Sequence, residues 1–66
     1  MIIKLNDQNH EIKEGATIAS FIEDLGLKSQ GIAIAIDNEV IPKNEWAKTI
    51  LLENDELMLI QAVSGG

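Results

Sequence analysis

One stretch of this sequence repeats its apolar residues with the period of a helix, and the segments around it read as strands. Ile18, Phe21, Ile22 and Leu25 fall at i, i+3, i+4 and i+7, a single apolar stripe. Thr17 stands just before the stripe, with a side-chain oxygen suited to capping the first turn. Gly26 follows it, where a residue in the left-handed conformation stops a helix. With strands on both sides, the stripe must be buried against a sheet.

The strands are read from alternation and turn chemistry. Ile3 and Leu5 alternate with Lys4, predicting a strand from about Ile2 to Asn6. Asp7-Gln8-Asn9 is turn-like, and His10 to Glu14 alternates around Ile12, so the chain opens with a hairpin. After the helix, Ile32 to Ile36 is apolar on both faces, isoleucines on one and alanines on the other, as in a central strand. Asp37-Asn38 supplies a turn, and Glu39-Val40-Ile41 returns as a short strand ended by Pro42. Asn44 to Lys48 forms one helical turn carrying Trp46, which packs over the sheet edge. Glu53 to Glu56 is a polar turn, and Leu57 to Gln61 is the last strand. The order β-β-α-β-β-(short helix)-β has one economical packing, with the last strand inserted beside the first. The fold class is therefore α+β, a β-grasp in which one main helix packs on a mixed sheet. It forms a single domain over residues 1–66, with residues 62–66 as a flexible C-terminal tail.

Composition narrows the functions open to such a domain. With 66 residues the chain buries only about 60% of its unfolded surface, so the core is small. Its 45% hydrophobic content is nonetheless that of a globular protein. There is no cysteine, which excludes a disulfide framework, a thiolate metal site and cysteine redox chemistry on this chain. Folding without such staples fits a reducing cytoplasm. Met1 to Leu5 is too short an apolar run for a signal sequence, and no stretch approaches the roughly 20 apolar residues that span a bilayer. Five lysines, no arginine and eleven acids give a net charge of −6. That balance disfavours nucleic acid and anionic membranes, and could steer the chain towards a basic partner.

The usual catalytic constellations are missing. His10 is the only histidine and reads as an exposed hairpin residue, so no histidine pair can hold a metal. Ser20, Ser29 and Ser64 have no base nearby in sequence, and a serine nucleophile needs one. Glu23-Asp24 and Asp55-Glu56 are adjacent residues that point apart. Gly15, Gly26 and Gly31 are isolated, not a phosphate-cradling loop, so the chain binds neither ATP nor another cofactor. These readings predict a protein that is not an enzyme. The feature that stands out is the ending Ala62-Val63-Ser64-Gly65-Gly66, directly after a core strand. Average glycine usage is about 7%, so two terminal glycines arise by chance in roughly 0.5% of chains. Glycine has no Cβ, so the pair forms a thin peptide that can thread a narrow channel. Residues 62–66 reach at most about 16–18 Å when extended, enough to enter a buried active site.

Over essentially its whole length the sequence resembles the ThiS family of sulfur carriers. The matching stretches are the opening Ile-Lys-Leu-Asn strand, Gly15-Ala16-Thr17-Ile18, and Ile34 through Pro42. Trp46, the acidic turn Asn54-Asp55-Glu56 and the terminal Ser64-Gly65-Gly66 complete the likeness. Two departures are visible: Asn54 where a turn glycine is common, and Ser64 where another glycine often precedes the pair. The resemblance implies a ubiquitin-like β-grasp and a role in making the thiazole of thiamin. It implies that the carboxylate of Gly66 is the working group, with Ser64 and Gly65 read by the partner's channel. A ThiF-like adenylyltransferase would use ATP to adenylate Gly66, and an external persulfide would convert the adenylate to a thiocarboxylate. A ThiG-like thiazole synthase would then take the sulfur.

Docking of those enzymes must come from the folded body. The last strand carries Leu57 and Leu59 on one face and Met58, Ile60 and Ala62 on the other. One set packs under the helix, and the other forms a docking patch. The sequence does not fix which, so Met58, Leu59, Ile60 and Ala62 are all candidates. Two related readings share the fold and tail. A MoaD-like subunit of molybdopterin synthase would deliver sulfur to a different acceptor, and a ubiquitin-like modifier would be joined to a lysine of another protein.

Overall fold

The computed structural model describes residues 1–28 and 30–61. It contains β1 (Ile2–Leu5), β2 (Gln8–Glu11), α1 (Ile18–Asp24), β3 (Ile32–Ile36), β4 (Glu39–Ile41), a short 3-10 turn at Lys43–Glu45, and β5 (Glu56–Gln61). The sheet runs β2-β1-β5-β3-β4. β5 lies parallel to β1 and antiparallel to β3, so the last strand does insert beside the first and the sheet is mixed.

Helix α1 starts and stops where its sequence directs. Thr17 Oγ1 accepts the N–H of Ser20 at 3.1 Å, and Ser20 Oγ accepts the N–H of Thr17 at 3.0 Å, a reciprocal capping box. At the far end Gly26 adopts φ +73°. Its N–H reaches the Glu23 carbonyl at 2.9 Å, and the Leu27 N–H reaches Ile22 at 3.2 Å, closing the helix in a Schellman motif. Between these caps Ile18, Phe21 and Ile22 are buried. They meet Ile3 and Leu5 of β1, Ile34 of β3 and Leu57 of β5.

The first hairpin differs from the sequence reading. Its turn is Asn6-Asp7, with φ of 49° and 68°, and Leu5 pairs directly with Gln8. Two consecutive left-handed residues make the tight hairpin turn whose twist matches that of the strands, and Asn and Asp tolerate that backbone. Strand β2 therefore begins at Gln8, and Ile12 lies just past its end. There the Ile12 N–H bonds to the Met1 carbonyl at 2.8 Å, and the Met1 ammonium bonds to the Ile12 carbonyl at 2.9 Å. His10 sits within β2 opposite Ile3, on the helix side, rather than exposed in the turn. Its ring meets Phe21 edge-on, with centroids 5.5 Å apart. The second hairpin turns at Asp37-Asn38 as expected, with φ of 50° and 70°.

Past β4 the chain wraps the start of the helix. The Leu51 N–H bonds to the Ala16 carbonyl at 2.8 Å and the Ile18 N–H bonds to Thr49 at 3.1 Å, with Leu51 fully buried. Trp46, one residue after the 3-10 turn, is only 4% exposed and belongs to the core. Its indole N–H donates to the Ile41 carbonyl at 2.9 Å, so the ring's one polar atom is satisfied. Among the described residues no helix is long and apolar enough to cross a membrane.

Candidate functional site

With α1 on one face, no helix among the described residues covers the other face of the sheet, which divides into two halves. Successive strand residues point to opposite faces, and directly opposed residues share one. Met58 is 52% exposed and Ile60 is 48% exposed, both on the outer face. Met58 pairs with Ala35, which pairs in turn with Val40, 63% exposed. Ile60 pairs with Ala33. The two alanines of β3 are short, so the larger side chains stand above them on either side. The result is an apolar patch across β5, β3 and β4. On the neighbouring half, Lys4, Glu56, Asn9 and Glu11 make the face polar, with Ile2 among them. A shallow depression between the two hairpin turns is lined by Asp7, Asp37 and Glu56 around Lys4, next to Met58. Three acids against one lysine give the patch an acidic rim.

This geometry resolves the parity of β5. Leu57 is buried, and Leu59 is half-buried and packed against the core, so both lie under the helix. Leu59 therefore leaves the expected docking set, because its side chain faces inward; Met58 and Ile60 keep their place on the open face. Ala62, Ser64, Gly65 and Gly66 lie outside the described residues, as does the whole tail 62–66. β5 carries the chain as far as Gln61, in register with Ile32. Val40, Ala33 and Ala35 were not singled out from sequence as surface for a partner. The signal was present: a two-residue turn at Asp37-Asn38 sets Ala35 opposite Val40, and the alanine face of β3 differs in bulk from the isoleucine face.

Ser20 serves the helix rather than nucleophilic chemistry. The Ser20 hydroxyl is engaged in the helix cap, and it also donates to the Thr17 carbonyl at 3.0 Å. Among the described residues no group of three or more His, Cys, Asp or Glu is placed to hold a metal ion. What the arrangement offers is an exposed apolar face on β5, the strand that precedes the terminal glycines in sequence.

Comparison with known proteins bears on the fold and the family. The family model described as "ThiS family" matches residues 3–66. The chain is 33% identical over 66 residues to the sulfur carrier protein ThiS of Escherichia coli (strain K12), covering all of both chains. It is also 23% identical over 66 residues to a thiazole synthase of Paramagnetospirillum magneticum (strain ATCC 700264 / AMB-1), of which it spans only 20%. A crystal structure of the thiamine biosynthesis protein ThiS from Geobacter metallireducens superposes with a TM-score of 0.86, covering both chains in full at 14% identity, which speaks to the fold. A family match from the third residue to the last, with a relative one-third identical along its entire length, makes this chain a member of the ThiS family.

Proposed function

We propose that this chain carries sulfur for formation of the thiazole of thiamin, as a thiocarboxylate on Gly66. The observation that carries the reading is the position of the apolar patch: Met58 and Ile60 lie on β5, the strand that continues towards Ser64-Gly65-Gly66. A partner seated on that face has the chain end within reach, since residues 62–66 span at most about 16–18 Å. Membership of the ThiS family supports the same role.

The chemistry follows from the carboxylate. Its negative charge and poor leaving group make it resist nucleophiles. A ThiF-like adenylyltransferase lets a Gly66 carboxylate oxygen attack the α-phosphorus of ATP, releasing pyrophosphate and leaving an acyl-adenylate. The terminal sulfur of a persulfide attacks the acyl carbon and AMP departs, giving an acyl disulfide. A thiol cleaves the S–S bond, is itself oxidised to a disulfide, and frees the thiocarboxylate. This chain has no cysteine, so persulfide and thiol both belong to partners. A ThiG-like thiazole synthase accepts the sulfur and the Gly66 carboxylate returns. The likeness of this chain to a 66-residue part of two thiazole synthases supports that pairing. The chain is then a reusable co-substrate, not a catalyst. It binds no cofactor itself, and it works in the cytoplasm, where ATP is at hand.

The test is intact mass after incubation with ATP, a persulfide source, a thiol reductant and a ThiF-like enzyme. The expected product is heavier by the exchange of one oxygen for sulfur, and only when all four are present. An unchanged mass, or an equal gain in a chain lacking Gly65 and Gly66, refutes the reading.

A further inference from the structure

The two ends of β5 are held differently. Leu57 lies between two strands, opposite Leu5 of β1 and Ile36 of β3, while Glu56 lies opposite Lys4 of β1 and its carbonyl accepts the Asp37 N–H at 3.0 Å. From Met58 onward β1 is no longer alongside, because it ends at Leu5 and turns back through Asn6-Asp7. The backbone of Leu59 on that side would be a bare strand edge. The side chain of Asn6 takes the place of the missing strand. Its Oδ1 accepts the Leu59 N–H at 3.0 Å, and its Nδ2 donates to the Leu59 carbonyl at 3.3 Å. A carboxamide carries a donor and an acceptor much as a peptide group does, so the pair acts as one more rung of sheet. The same residue holds φ +49°, which asparagine tolerates better than most. Turn and clamp are thus built from one position.

We propose that Asn6 is a positioning residue for sulfur loading: by gripping Leu59 it sets the line along which β5 delivers the chain end to the activating enzyme. The inference rests on the carrier reading above. Leu59 precedes Gly66 by seven residues, so the grip acts close to the root of the reacting end. Without it, β5 beyond Leu57 keeps only β3 as a flank, and a smaller fraction of carriers presents the end correctly. Apparent affinity falls by that fraction. Once the end is seated, the enzyme holds it, and turnover is unaffected.

Asn6→Gly keeps the positive φ and the turn but removes the clamp, while Asn6→Asp keeps the acceptor and lacks the donor. Amide exchange followed by NMR should accelerate at Leu59 in N6G by roughly three- to tenfold, the factor for about one net hydrogen bond, with Ile34 of β3 unchanged and N6D intermediate. In sulfur loading, N6G should raise the KM for the carrier by a similar factor, roughly three- to tenfold, at constant kcat. Equal acceleration at Leu59 and Ile34 would indicate general loosening and overturn the inference. So would an unchanged KM for N6G beside a reactive wild type, which refutes this inference alone. A wild-type chain that gains no sulfur refutes the carrier reading and this inference with it.

Discussion

Leu57 and Met58 are neighbours of similar apolarity on one strand, yet Leu57 is 3% exposed and Met58 is 52% exposed. The inner face of the sheet is filled by its own chain: Ile3, Leu5, Ile34 and Leu57 meet the stripe of α1, and Trp46 and Leu51 close the margin. The outer face carries Val40, Met58 and Ile60 over small alanines, with no helix above it among the described residues. The difference separates two uses of the same kind of side chain. Inner residues hold the fold, whereas outer residues contribute little to it and are available to a partner.

The largest effect expected from that contrast is on the inner face. Leu57→Ala should lower unfolding free energy by about 2–5 kcal/mol, the range for truncating a buried leucine, and urea denaturation reads it directly. A loss under about 1 kcal/mol would break the distinction. Ile60→Asp places a charge on the outer face instead. Its unfolding free energy, read from urea denaturation, should fall by no more than about 1 kcal/mol, while its KM in sulfur loading rises about tenfold or more. Unchanged loading by a folded I60D chain would remove the docking patch from the account.

Two smaller effects sharpen the comparison. Thr17→Ala removes the cap of the helix that covers the inner face, and should destabilise by about 1 kcal/mol without altering the KM for loading. Raising salt should do the reverse. The acidic rim at Asp7, Asp37 and Glu56 favours a basic partner, so loading should weaken a few-fold as ionic strength rises, while stability stays nearly constant. A KM independent of salt would show that the rim takes no part.

Much of this plan was legible in the residues. The spacing of Ile18, Phe21, Ile22 and Leu25, bounded by Thr17 and Gly26, placed the helix because cap, period and stop agree. Ile32 to Ile36 and Asp37-Asn38 were found for the same reason. The first hairpin was misplaced because alternation around Ile12 outweighed the turn chemistry of Asn6-Asp7. The parity of β5 was not legible, since both sets of its side chains are apolar and only the helix above distinguishes them. Leu59 was counted with the docking residues on that account. The short turn was expected at Asn44 to Lys48 but forms at Lys43–Glu45, immediately after Pro42, whose fixed φ suits the start of a turn. The grip of Asn6 on Leu59 joins residues 53 apart in sequence, a contact that no local pattern records. At the chain end the balance reverses: Ser64, Gly65 and Gly66 were prominent in sequence and lie outside the described residues.

The most direct measurement locates the transferred atom. After loading, the carrier is cleaved into peptides and each is weighed. The whole sulfur-for-oxygen increment should sit on the fragment that ends in Gly66, and later exposure to a thiazole synthase should erase it. An increment on any other fragment, or one that the synthase leaves in place, would contradict the account.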